Sequence, residues 1–91
     1  MRRESTTFPL KTGMNILGRQ RDVDIQIKDP YISRRHLSID VLSDGSMTLM
    51  DLGSCNGLIV DGVKVPSAVL KTGQSFTLGL CTLFIEEDRA E

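Results

Sequence analysis

Leu37-Ser38-Ile39-Asp40-Val41-Leu42-Ser43-Asp44-Gly45-Ser46-Met47-Thr48-Leu49-Met50-Asp51-Leu52 is the stretch that decides the fold class. Leu37, Ile39 and Val41 alternate with Ser38 and Asp40, the period of two expected of a strand with one buried face. The Ser43-Asp44-Gly45 turn then joins strands over about 36–42 and 46–52 into a hairpin. The same alternation recurs upstream at Val23, Ile25 and Ile27, and downstream at Phe76, Leu78 and Leu80. Asp61-Gly62, between Val60 and Val63, suits a two-residue type I′ turn. Leu83-Phe84-Ile85 closes the last strand one step out of parity with Phe76 to Leu80, so a turn or bulge is required near Gly79 to Thr82. No segment carries a helical stripe of period 3.6, and turn signals recur throughout. The expectation is an all-β chain, an antiparallel β-sandwich of two twisted sheets without substantial helix.

Ninety-one residues suit one domain spanning 1–91, with a core over about 7–87 and fraying at Met1 to Thr6 and Asp88 to Glu91. No apolar run approaches the roughly 18 residues of a membrane helix. Met1-Arg2-Arg3-Glu4 leads into polar residues rather than a signal core. Cys55 and Cys81 stand 26 residues apart without metal-ligand spacing, so free thiols in a cytoplasmic setting are expected, with no metal and no cofactor. Net charge is −1, which draws the chain toward neither nucleic acid nor membrane, and 4% aromatic content leaves no stacking platform for bases. The halves differ: residues 1–35 carry eight basic and four acidic side chains, residues 36–91 three basic and eight acidic. An anion site built from the first half fits that asymmetry; so does plain neutralisation of basic side chains by Asp22, Asp24 and Asp29.

Three short motifs fall in the expected loops: Gly18-Arg19, Ser33-Arg34-Arg35-His36 and Asn56-Gly57. A guanidinium is a planar donor fork for phosphate, a serine hydroxyl adds a donor, and an asparagine amide pairs with a peptide backbone on both its donor and acceptor sides. The set suits a phosphorylated peptide better than a metabolite. Two strands, up and back, separate Ser33 from Asn56, so these loops should share one end of the sandwich. Only one short strand, about 23–27, separates Arg19 from Ser33, and strand counting puts Arg19 at the far end.

Gly18-Arg19, Asp24-Ile25-Gln26-Ile27, Asp29-Pro30-Tyr31-Ile32-Ser33-Arg34-Arg35-His36, Asp51-Leu52-Gly53-Ser54-Cys55-Asn56-Gly57 and the Leu70 to Gly79 run together resemble a forkhead-associated (FHA) domain over about residues 8–87. The resemblance implies an eleven-stranded sandwich whose loops at one end bind phosphothreonine peptides. The chain is short before Thr7 for the first strand of that pattern.

By the same resemblance, Arg19 contacts the peptide main chain, Ser33 donates its hydroxyl to phosphate, Arg34 adds charge, and Asn56 grips the backbone beyond the phosphothreonine. Gly18, His36 and Gly57 shape the loops, His36 as a satisfied structural histidine. Tyr31 and Arg35 are secondary contacts that read flanking residues. Cys55 stands where the family usually has Ser or Thr, and Leu58 where Thr is common. A thiol is the weaker donor, so phosphate binding should be weakened rather than lost. The partner implied is a threonine-phosphorylated protein or peptide, bound by a domain that is a monomer when isolated. Two other readings are a phosphorylation-independent interaction or assembly module on the same fold, and an enzyme with Cys55 as nucleophile and His36 as base. The latter lacks an orienting third group, so no enzyme is expected.

Overall fold

The computed structural model describes residues 2–3 and 6–86. Eleven strands occur among the described residues: β1 (Arg2–Arg3), β2 (Thr6–Thr7), β3 (Gly13–Gly18), β4 (Ile25–Gln26), β5 (Leu37–Val41), β6 (Met47–Asp51), β7 (Leu58–Val60), β8 (Val63–Val65), β9 (Ser67–Leu70), β10 (Ser75–Leu78) and β11 (Cys81–Phe84). They form a six-stranded sheet in the order β2-β1-β11-β10-β7-β8 and a five-stranded sheet in the order β4-β3-β5-β6-β9. No helix of the described residues is long and apolar enough to cross a membrane.

Alternation explains the layering. Leu17, Ile25, Ile39 and Leu49 from one sheet meet Leu58, Phe76, Leu78 and Leu83 from the other in a single buried core. Burying such side chains, at about 1.5–3 kcal/mol each, is the main force holding the layers together. Asn15 is also buried, but its side chain accepts from the Lys11 N–H and donates to the carbonyls of Lys11, Gly13 and Ile39, so neither of its polar atoms is stranded.

The expected hairpins form. Asp61 and Gly62 both have positive φ, 53° and 78°, between the paired Val60 and Val63, the signature of a type I′ turn. The β5–β6 hairpin closes where the Gly45 N–H donates to the Leu42 carbonyl and the Leu42 N–H to the Ser46 carbonyl. The parity shift near Gly79 is a two-residue turn between Leu78 and Cys81.

Four expectations need correction. Leu80 belongs to the tip of that turn and is exposed, not to the apolar face that Phe76 and Leu78 share. The first strand, for which the chain looked too short, is present in β1, where Arg2 pairs with Phe84. Of the termini expected to fray, Arg2, Arg3 and Thr6 therefore lie in strands, while Met1, Glu4, Ser5 and 88–91 lie outside the described residues. Finally, the sheets are not wholly antiparallel: β4 runs parallel to β3, with Leu17 opposite Ile25 and Gly18 opposite Gln26.

Candidate functional site

That parallel pair decides where Arg19 lies. Residues 19–24 already travel back along β3, and the Asp24 carboxylate fixes the return by accepting from the Ile16 N–H (2.7 Å) and the Lys11 ammonium (3.1 Å). β4 then runs forward beside β3, so both strands end at the same rim. Counting strands missed this because the loop itself makes the missing traverse. The bond from Ile16, and then the one from Lys11, hold the Asp24 carboxyl below its ordinary pKa.

The next loop is built around Asp29. Its side chain accepts from the Tyr31 N–H and its carbonyl from the Ile32 N–H, and Ile32 is buried in the core. The three carbonyls that follow are all taken. Tyr31 accepts from the Asn56 amide (2.6 Å), Ile32 from the Arg19 Nε–H (3.0 Å), and Ser33 from the Arg19 backbone N–H (3.0 Å). Arg19 and Asn56 thus flank one short run of backbone, with Arg19 exposed and its terminal guanidinium nitrogens left for other acceptors.

Ser33 Oγ accepts from the Cys55 N–H at 3.1 Å, which leaves the hydroxyl proton to donate, as an anionic oxygen requires. The Cys55 side chain is an exposed free thiol. Asn56 spends one N–H on Tyr31 and keeps a second donor and its carbonyl oxygen. Arg34 is exposed, and neither it nor Arg19 forms an ion pair among the described residues. Arg35 does, with Asp22 at 3.1 Å, so its charge is partly spent.

His36 is fully buried and ties the loops together. The Ser33 N–H donates to Nδ1 (3.0 Å), so Nε2 carries the proton and donates to the Gly57 carbonyl (2.9 Å). Both ring nitrogens are therefore engaged, and none is left to act as base toward Cys55. Gly18 is required by close approach: a Cβ there would sit 1.9 Å from the Arg34 carbonyl oxygen. Gly57, at φ +80°, lies under the side chain of Lys64. Leu58, whose departure from the usual pattern bore on phosphate binding, is fully buried in the core.

Some of the scaffold escaped the sequence reading. Asp51 accepts from the Gly53 and Ser54 N–H groups and from the Ser54 hydroxyl, while Ser54 Oγ accepts from the Gly57 N–H (2.8 Å). This side-chain framework shapes the Asn56 loop. An Asp three residues before a Ser in a Gly-containing loop was the available signal, since such side chains cap turns. Gly79 was also missed as a neighbour of the site; a Cβ there would come within 2.6 Å of the Tyr31 Cβ, so the β10–β11 turn packs on half-exposed Tyr31.

The model of the family described as FHA domain matches residues 15–79. The chain belongs to the FHA domain family. Similar proteins include the FHA domain-containing protein FhaA of Mycobacterium tuberculosis, 38% identical over 74 residues, which cover 80% of this chain but only 14% of that relative. A solved structure concerned with phosphothreonine-dependent FHA domain interactions has a TM-score of 0.84 and 31% identity, covering 96% of this chain and 90% of the other. The FHA domain of FhaA, solved in complex with the intracellular domain of Rv3910, has a TM-score of 0.79 and 34% identity, covering 87% and 86%. The present FHA domain is thus an all-β sandwich of the same architecture, with loops from three separate stretches meeting at one rim.

Proposed function

We propose that this FHA domain binds protein segments phosphorylated on threonine, through Arg19, Ser33, Arg34 and Asn56. One observation carries the reading: Arg19 and Asn56 hold adjacent carbonyls of the Tyr31–Ser33 run, while the Ser33 hydroxyl beside them has its proton free. The solved relative studied for phosphothreonine-dependent interactions supports the choice of ligand.

Ser33 and Arg34 take the phosphate oxygens, Arg19 the peptide main chain beside them, and Asn56 the backbone just beyond the modified residue. Tyr31 and Arg35 meet flanking side chains. Charge-assisted hydrogen bonds contribute about 1.5–3 kcal/mol each, so three or four supply much of the roughly 8 kcal/mol of a micromolar complex. The module recruits a phosphorylated partner and performs no chemistry on it. Fluorescence anisotropy with matched phosphothreonine, phosphoserine and unmodified peptides tests the reading. Binding should require phosphate and prefer threonine, whose methyl the serine peptide lacks; equal affinity for the phosphorylated and unmodified threonine peptides would overturn it.

A further inference from the structure

Lys64 belongs to none of the motif loops, yet its side chain ends beside one of them. The β7–β8 hairpin sets Leu58 opposite Val65 and Ile59 opposite Lys64. Leu58 is buried and Val65 packs against the core, so alternation turns Lys64 outward, where it is exposed. Its stem is nevertheless laid across the backbone of Gly57. A Cβ at Gly57 would stand 2.4 Å from the Lys64 Cε, 3.1 Å from Cδ and 3.2 Å from Cγ. The methylene chain thus covers a bare stretch of backbone while the charged head stays in water. The ammonium is one bond beyond that Cε, and Gly57 is the residue that follows Asn56.

That charge is not neutralised from within. Lys64 forms no ion pair among the described residues, and Asp61, at the tip of the same hairpin, does not bond to it. Acidic side chains in and around the motif loops are engaged elsewhere: Asp22 with Arg35, Asp24 with the Ile16 N–H and Lys11, Asp29 with the Tyr31 N–H, and Asp51 with the Gly53 and Ser54 N–H groups. Lys64 therefore joins Arg19 and Arg34 as a cation without an ion pair among the described residues.

We propose that Lys64 is a specificity-determining residue, which selects phosphothreonine segments carrying Asp or Glu within the three residues that follow the phosphothreonine; this rests on the peptide binding proposed above. The order of groups along the rim carries the assignment. The Cys55 N–H is bonded to Ser33 Oγ, Asn56 comes next, and Gly57 with Lys64 across it comes after that. A ligand with its phosphate on Ser33 and Arg34 and its backbone on Asn56 advances about 3.3 Å per residue when extended. Asn56 and Gly57 are themselves one Cα step of about 3.8 Å apart, so the side chains that follow pass the ammonium. Arg35 is partly spent on Asp22 and Tyr31 is uncharged at neutral pH, so neither duplicates this role. An ion pair formed in the open contributes little and is screened by salt, which sets the expected preference at about two- to fivefold.

Fluorescence anisotropy with the full chain tests this, using phosphothreonine peptides that differ only in carrying Asp, Ala or Lys at the three positions after the phosphothreonine. The Asp peptide should bind about two- to fivefold tighter than the Ala peptide and the Lys peptide weaker than both, with the spread shrinking as salt rises to about 0.5 M. Lys64→Met keeps the stem across Gly57 but removes the charge, and should bring the ratio of Asp to Ala affinities to about one. Lys64→Glu should invert the order, so that the Lys peptide binds best, an outcome that a merely structural lysine would not produce. Lys71→Met, which neutralises a lysine close to Asp44 in the β5–β6 turn at the far end of the sandwich, should leave the ratio unchanged. Circular dichroism melting verifies that each variant is folded. Phosphate-dependent binding with equal affinity for the three peptides overturns this proposal alone, and so does a preference for Asp that persists in both Lys64 variants. Binding that ignores the phosphate overturns the reading of the site, and this proposal with it.

Discussion

His36 and Gly57, 21 residues apart, are joined by a 2.9 Å hydrogen bond from the buried imidazole Nε2 to the glycine carbonyl. The other ring nitrogen accepts from the Ser33 N–H, so one side chain sets the spacing between the two loops that carry Ser33 and Asn56. His36→Ala removes both bonds and leaves a cavity. We expect a stability loss of about 2–4 kcal/mol in urea denaturation, with a fall in peptide affinity in the fraction that remains folded.

Gly18→Ala should be severe for a different reason. The added methyl would lie 1.9 Å from the Arg34 carbonyl oxygen, which is backbone and cannot swing aside. The expected loss is at least about 2 kcal/mol, read as a lowered urea midpoint. Gly45→Ala, where the new Cβ meets open space but φ is +89°, should cost only about 1 kcal/mol.

Arg19→Ala and Ser33→Ala are expected to lower affinity for a phosphothreonine peptide at least about tenfold, the loss of one charge-assisted hydrogen bond, while the melting temperature stays near wild type. Both side chains are at least partly solvated, and their contacts within the protein are few. A large drop in melting temperature would mark them as structural instead. Arg19→Lys keeps the charge but loses the fork and should rescue binding only in part.

Cys55→Ser tests the departure from the usual motif. The Cys55 backbone N–H donates to Ser33 Oγ and the thiol is exposed, so replacing the thiol with a hydroxyl puts a stronger donor on the residue bonded to Ser33. Phosphopeptide affinity should rise by up to about tenfold, measured by anisotropy, with no gain for the unmodified peptide.

Acid should loosen the return loop that brings Arg19 to the site. The Asp24 carboxyl titrates below its unfolded value of 3.8 because it accepts from Ile16 and Lys11. Its stabilising effect is therefore complete above about pH 4 and is lost as pH falls through the lower folded value. Asp44, lowered by the Ser46 hydroxyl and then its N–H, acts in the same direction. Asp24→Asn should flatten the fall in melting temperature below pH 4, followed by circular dichroism from pH 7 to about pH 2.

The alternation of Leu37, Ile39 and Val41, the paired positive φ values at Asp61 and Gly62, and the strand count between Ser33 and Asn56 were legible in the chain because they depend on neighbours a few residues away. Local periodicity settles which face of a strand is buried and where the chain must turn, so the sequence alone determined the sandwich and the proximity of two of the three motif loops. Arg19 was placed at the wrong end, since nothing local says that β4 pairs with β3 in parallel or that Asp24 clamps the chain onto Ile16. His36 was expected to be satisfied, but that its partners are the Ser33 N–H and the Gly57 carbonyl was hidden, as was the burial of Leu58. Each of these is a contact between stretches distant along the chain, and only the packing of two sheets, chosen by the burial they jointly achieve, decides which stretches meet.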